Sequence, residues 1–210
     1  IIATDINPKA KDKIDGILFH QMDVLDVDHL ESVVKENQVS EIYLLAALLS
    51  AVSEQKIRSA WDLNINGLFN VLELARRGII ERVFWPSSIA VFGPSSPKKN
   101  TPQNAILEPT TVYGISKCAG ERWCDYYFKK FGVDVRSIRY PGIISYKSKP
   151  GGGTTDYAVE IFHEALAKSK YTCFIDKDIY LPMMYMDDAI RATIELMQVD
   201  KGVFPAFKSY

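Results

Sequence analysis

Tyr113 and Lys117 stand four residues apart in Thr111-Val112-Tyr113-Gly114-Ile115-Ser116-Lys117, and on a helix residues at that spacing share a face. A free phenol titrates near about 10 and is a poor base at neutral pH. A fixed ammonium beside it favours the phenolate, so the pair predicts a tyrosine of lowered pKa that can move a proton. Upstream, Pro86-Ser87-Ser88 closes a strand-like run, and either serine hydroxyl is placed to bind the substrate oxygen that gains or loses that proton. The same spacing also arises on a half-exposed helix face with a snorkelling lysine, so the surrounding elements must decide between the two.

Apolar runs of strand length alternate with helical patterns along most of the chain. Strands are predicted at 1–4, 17–22, 42–46, 83–85 and 135–139, and helices at 28–37, 57–77, 112–131, 155–167 and 187–198. Such alternation implies a mostly parallel sheet covered by helices on both faces, whose ligands bind beyond the carboxyl ends of the strands. At those ends stand Asp5, Asp23, Ala46-Ala47, Ser87-Ser88 and Tyr140-Pro141-Gly142. A core accounts for the apolar runs but not for this repeated placement, which predicts a nucleotide cofactor along one rim. An acidic residue after a strand of a dinucleotide fold accepts hydrogen bonds from adenosine ribose hydroxyls and repels a 2′-phosphate, so Asp5 favours NAD over NADP. Taken alone, Asp5 fits equally well as the cap of the turn through Asn7-Pro8.

A chain of 210 residues can bury one substantial core, and nothing in it marks a linker, so a single α/β domain is expected. Lys and Arg total 25 against 26 Asp and Glu, with the basic pairs scattered, which argues against a nucleic-acid surface. No apolar run reaches membrane-spanning length, and a soluble, cytoplasmic protein is expected, or a mitochondrial matrix one in a eukaryote. Cys118, Cys124 and Cys173 lack any close CxxC spacing and read as thiols in a reducing compartment. His20, His29 and His163 form no HxxxH pattern, and no metal site is expected. The chain opens directly on Ile1-Ile2-Ala3-Thr4-Asp5, without the strand, glycine-rich turn and helix that would hold a pyrophosphate. A fragment of a longer chain is expected, and such a fragment is expected to bind NAD poorly.

With the strand-end serines, the Tyr113/Lys117 pair and the αβ order in place, the chain resembles the extended short-chain dehydrogenase/reductase superfamily. Within it, the sequence looks most like the short-chain-type L-threonine 3-dehydrogenases, related in fold to UDP-galactose 4-epimerase. Four segments carry the likeness: Leu44-Leu45-Ala46-Ala47-Leu48-Leu49-Ser50-Ala51, Pro86-Ser87-Ser88-Ile89-Ala90-Val91-Phe92-Gly93-Pro94, Arg139-Tyr140-Pro141-Gly142-Ile143-Ile144-Ser145 and Gly153-Thr154-Thr155-Asp156-Tyr157-Ala158. The last of these, with Leu181-Pro182-Met183-Met184-Tyr185-Met186, looks particular to the threonine enzymes.

The resemblance implies a Rossmann-like doubly wound parallel sheet lacking the first βα unit and the C-terminal segment. It implies one NAD-binding domain over 1–210 that includes part of the substrate region, about 143–185. By the same resemblance Ser88 or Ser87, Tyr113 and Lys117 do the chemistry, and Asn64 on the preceding long helix completes a proton relay. Asp5 and Ile6 would hold the adenosine ribose, Asp23 and Val24 the adenine, and Leu45, Ala46 and Ala47 the middle of the dinucleotide. Pro86, Tyr140, Pro141 and Ile143 would lie near the nicotinamide, whose ribose Lys117 and Tyr113 would meet. Ser50, Ser87, Ser88, Tyr113, Gly153, Thr154 and Asp156 would face the amino acid, since a zwitterion needs acceptors for its ammonium and donors for its carboxylate. The implied reaction is oxidation of L-threonine to 2-amino-3-oxobutyrate, and the implied partner is a second copy of the chain. The two long helices would pair across such a dimer, with Leu68, Val71, Leu72 and Ala75 fitting either that interface or the sheet. Two rival readings remain at this point: a nucleotide-sugar epimerase or dehydratase on the same scaffold, and a non-catalytic NAD-binding fragment. Against the first, the loop after Pro141-Gly142 offers only Lys147 and Lys149 for a diphosphate clamp.

Overall fold

Parallel pairing begins with β1 (Ile2–Asp5) and β2 (Leu18–Gln21), which run side by side with Asp5 opposite Gln21. The computed structural model describes residues 1–147, 153 and 155–210. After β2 the chain forms α1 (Val27–Glu36), started by Asp26, whose carboxylate accepts the His29 N–H at 3.1 Å. A three-stranded sheet follows, in the order β3 (Glu41–Tyr43), β4 (Arg82–Phe84), β6 (Asp134–Arg136). Its ladder continues past the strand ends: Trp85 N–H donates to the Arg136 carbonyl at 2.9 Å and Ser87 N–H to that of Ile138 at 2.8 Å. This extension leads into β5 (Ser87–Ser88) and β7 (Arg139–Tyr140), with Ser87 opposite Arg139 and Ser88 opposite Tyr140. Finally β8 (Gly142–Ile144) pairs with β9 (Met183–Tyr185). Every ladder between strands among the described residues is parallel, as the βα alternation predicts.

Helices α4 (Gly67–Arg76) and α5 (Val112–Phe131) pack on this sheet. Leu68, Val71, Leu72 and Leu74 of α4 are buried with Val83 and Trp85 after β4, Val135 of β6, and Cys124 and Tyr127 of α5. Each large apolar side chain so removed from water contributes about 1.5–3 kcal/mol before the entropy cost of ordering. Leu68, Val71 and Leu72 therefore belong to the chain's own core. The helix α5 occupies the predicted span because its ends are marked in the sequence. Thr111 accepts the Gly114 N–H at 3.0 Å, and Gly132, at φ +68°, turns the chain out of the helix.

The structure departs from expectation between β3 and α4. The strand predicted to reach Ala46 ends at Tyr43, and a short helix, α2 (Ser50–Gln55), follows it. Six residues do not sustain a helix alone. Here Ser53 Oγ donates to the Leu48 carbonyl at 2.9 Å, and Glu54 Oε1 accepts the Val112 N–H at 2.7 Å, tying α2 to the start of α5. The single helix predicted over 57–77 is instead α3 (Ile57–Trp61), a π-helical turn over Asp62–Asn66, and α4. The remaining helices are α6 (Tyr157–Lys168) and α7 (Met186–Gln198).

Candidate active site

The proton-handling residues come together where β5 meets the first turns of α5. Tyr113 and Lys117 share one face of α5, and the Ser88 hydroxyl, which accepts the Ala90 N–H at 3.2 Å, lies within reach of the Tyr113 phenol. Successive residues of a strand point to opposite faces. Ser87 accordingly turns the other way, is buried, and donates to Glu121 Oε1 at 2.6 Å. This decides between the two serines: Ser88 meets the tyrosine, and Ser87, expected to touch substrate, is instead committed to the interior.

Lys117 is 2% exposed. Its Nζ donates to the Pro86 carbonyl at 2.6 Å and lies 4.5 Å from the centre of the Trp85 ring and 5.5 Å from that of Tyr113. Trp85 reaches this position because residue 120 is glycine; a β-carbon there would collide with the indole. Lys117 has no ion pair among the described residues, and burial pulls its pKa down to about 7. The expected lowering of the Tyr113 pKa is not found. Burial pushes the phenol up, and the Ser88 hydrogen bond opposes that rise. The ammonium sits beside the ring and donates to Pro86, so the group that favours the phenolate in this geometry is Ser88.

Asn64 lies in the π-helical turn, a feature that often marks functional sites. Its Oδ1 accepts the Leu48 N–H at 2.9 Å, while Nδ2 donates to the Leu48 carbonyl and to Ser116 Oγ, both at 3.2 Å. Both ends of the amide thus hold the segment after β3 and the first turns of α5 in place. The relay role implied for Asn64 becomes, in this structure, a brace between two parts of the rim.

Along the rest of the rim the predicted residues divide. Asp5 ends β1, and its Oδ1 accepts the Asn7 N–H at 2.8 Å, the turn-capping alternative. Asp23 likewise accepts the Leu25 N–H at 2.9 Å. The Val24 side chain, expected against adenine, is buried against Gly67, and its carbonyl accepts Asn70 Nδ2 at 2.8 Å. Ile6 and Leu45, by contrast, leave 64% and 67% of their surface exposed, with Ala46 exposed and Ala47 half-buried beside Leu45. Apolar side chains held open next to carboxylates at strand ends fit the flat, partly apolar and hydroxyl-rich adenosine of a dinucleotide. Tyr140, expected near the nicotinamide, packs its ring against Phe84 and hydrogen-bonds Thr193 of α7, so it contributes backbone to the rim. Pro141 is half-buried, and Ile143 packs on the cluster of Phe84, Tyr140, Ala189 and Met197.

On the substrate side, Ser50 opens α2 and is half-buried. Asp156 precedes α6 and accepts the Gly153 N–H at 2.6 Å. Thr155 stands directly over Gly142, where a β-carbon would overlap its side chain. Thr154 lies outside the described residues. The site residues that sequence reasoning missed are Glu121 and Ser116; Glu121 stands one helical turn beyond Lys117, so the continuation of the i, i+4 series was the available signal. An open depression of about 500 Å³ lined by Glu160, Glu164, Lys168, Lys170, Tyr171 and Thr172 includes none of the rim residues.

Among the described residues no group of His, Cys, Asp and Glu could hold a metal ion, and no helix is long and apolar enough to cross a membrane. A family model described as the NAD dependent epimerase/dehydratase family matches residues 1–205. An uncharacterized epimerase/dehydratase of Staphylococcus aureus (strain USA300) is 52% identical over 211 residues, which cover 100% of this chain and 65% of that relative. The chain therefore spans just under two thirds of its relative's length. Among solved structures it is similar to the GalE-like L-threonine dehydrogenase from Cupriavidus necator in holo form, with 53% identity and a TM-score of 0.95 over 100% of this chain and 67% of that one. It is also similar to a monomeric L-threonine 3-dehydrogenase from a metagenome in apo form, with 48% identity and a TM-score of 0.93 over 100% and 67% of the two chains.

Proposed function

Because this chain belongs to the NAD dependent epimerase/dehydratase family, we propose that it forms the catalytic portion of an L-threonine 3-dehydrogenase, oxidising the 3-hydroxyl with hydride passing to NAD. The observation that carries the reading is the placement of the Ser88 hydroxyl within reach of Tyr113, one helical turn from a buried Lys117 whose pKa burial lowers to about 7. The choice of threonine draws on the two similar solved structures named above, both L-threonine dehydrogenases.

When bound, NAD supplies the hydride acceptor. Tyr113 takes the proton of the substrate hydroxyl, and Ser88 orients that hydroxyl and donates to the developing carbonyl. Lys117, beside the phenol ring, would donate to the nicotinamide ribose. Asp5 and Ile6 would receive the adenosine ribose, and Leu45, Ala46 and Ala47 would line the middle of the dinucleotide. Asp156 and Ser50 would face the amino acid. The product is 2-amino-3-oxobutyrate.

Incubating the protein and NAD with L-threonine, and separately with a UDP-sugar, tests the reading. NADH absorbance growing only with threonine supports it; turnover of the UDP-sugar without response to threonine overturns it. The protein also carries Ile57, Trp61, Ile115, Trp123 and Tyr126 exposed on α3 and α5, apolar surface that fits a second copy of the chain. Of the α4 residues that fitted either that interface or the sheet, Leu68, Val71 and Leu72 lie in the core. Light scattering at the mass of one chain at micromolar concentration would reject the dimer.

A further inference from the structure

Tyr113, Lys117 and Glu121 recur at every fourth position of α5, so one helix face carries the phenol, the ammonium and a carboxylate. Glu121 is fully buried. Its Oε1 accepts Ser87 Oγ at 2.6 Å and Arg139 Nε at 2.8 Å, and its Oε2 accepts Arg139 Nη2 at 2.7 Å. Ser87 and Arg139 are directly opposite one another in the β5–β7 pair. One carboxylate therefore binds both members of a cross-strand pair and ties them to the helix that bears Tyr113.

We infer that Glu121 is a positioning residue: by holding Ser87 and Arg139 it fixes the distance between β5 and α5, and so aims Ser88, on the opposite face of the same strand, at the Tyr113 hydroxyl. In a two-residue strand, a shift of the backbone at one residue carries its neighbour with it; the Ser88 hydroxyl accepts the Ala90 N–H at 3.2 Å, and β7 holds Ser88 through the ladder. A bidentate carboxylate–guanidinium pair is among the most directional contacts available to set such a spacing. The short hydroxyl bond from Ser87 transmits that spacing to the serine pair. Arg139 is fixed in turn by stacking over Phe92 at 5.3 Å and by its contact with the Gln103 carbonyl at 3.3 Å. Arg122 approaches the outer side of Glu121 at 3.9 Å. Among the described residues, Ser88 from β5 and Lys117 from α5 bear on the phenol, and the Glu54 carboxylate of α2 accepts the neighbouring Val112 N–H at 2.7 Å.

This inference rests on Tyr113 and Ser88 forming the acid/base site proposed above, and its test needs no substrate. Protein carrying tyrosine labelled with carbon-13 at Cζ is titrated by NMR, with the Tyr113 signal assigned by its loss in Tyr113→Phe. Ser88→Ala removes the donor and raises the Tyr113 midpoint. Ser87→Ala and Glu121→Gln are each expected to raise it in the same sense by at least about half a pH unit, the size of one neutral hydrogen bond. Neither adds to Ser88→Ala in the double variants, because all three changes cancel the same bond. A merely structural Glu121 would lower the melting temperature and leave the midpoint where it is, and that result overturns the inference, as does an additive double variant. If Glu121→Gln fails to fold, Ser87→Ala decides, since it keeps the Glu121–Arg139 pair. In steady-state assays kcat falls with the titration shift while KM for the substrate holds. Inactivity of the unmodified protein on threonine, with the shifts present, sinks the substrate assignment and leaves the positioning role standing.

Discussion

The two ends of the central sheet bury charge in opposite ways. Arg82 and Asp134, at the amino ends of β4 and β6, form a closed network with Arg136, which reaches back from the last residue of β6: Arg136 grips Asp134 with bonds of 2.9 Å to both carboxylate oxygens, and Arg82 reaches Asp134 at 3.1 Å and Glu41 at 2.8 Å. Both guanidiniums also donate to carbonyls at the end of α7, Arg136 to Leu196 and Met197 and Arg82 to Met197. Those carbonyls have no partner within the helix and carry its negative pole. Every charge in that network has an opposite number. At the carboxyl ends Lys117 is as deeply buried, yet its polar partner is a single backbone carbonyl. A buried charge with a counterion holds a fold together; one without is poised to change its protonation, which is how catalytic groups are tuned. Glu121 and Arg139 form a closed pair placed directly behind the open one.

Three variants press on this contrast. Tyr113→Phe removes a single hydroxyl from the carboxyl end; it is expected to cut threonine oxidation by about a hundredfold to ten-thousandfold while leaving the urea midpoint close to that of the parent. Near-normal turnover would show that the open end does not carry the chemistry. At the amino end the expectation reverses. Arg136→Met strands Asp134 and the α7 carbonyls, and should lower unfolding free energy by about 3–5 kcal/mol while the folded fraction retains its specific activity. A large loss of kcat per folded molecule would break the division between the two ends.

The smallest effect concerns pH. The Lys117 pKa is about 7 in the folded protein against an ordinary 10.5. Between those values the unfolded chain binds a proton that the folded one does not, so stability contributed by this group rises with pH across that window. A urea midpoint series from pH 7 to pH 9 should therefore climb in the parent protein and lose part of that slope in Lys117→Met. Identical slopes in the two would mean that the ammonium is not desolvated as the geometry requires.

Much of this arrangement was legible in the residues. The βα alternation, the span of α5 with its Thr111 and Gly132 ends, and the Tyr113/Lys117 pair all follow from local periodicity and capping, which act within a few residues. The π-helical turn at Asn64 was not legible, because it is stabilised by Leu48 and Ser116, far away in sequence. The helix α2 was missed for a related reason: it is too short to form alone and relies on Val112 and Leu48. Ser87 and Ser88 could not be ranked before the partner of each was known. Val24 and Tyr140 were assigned to the rim from their position in the chain, and the core took their side chains.

The order of elements, the parallel class of the sheet and the Tyr113/Lys117 pair as a candidate for proton transfer were readable from the residues, since these depend on neighbours in the chain and on the chemistry of side chains. Only the tertiary structure decided which serine meets the phenol, that burial raises the Tyr113 pKa, and that Glu121 stands behind the site. Those outcomes depend on desolvation and on hydrogen bonds between α5 and the β5–β7 pair, and such contacts exist only once distant segments are packed together.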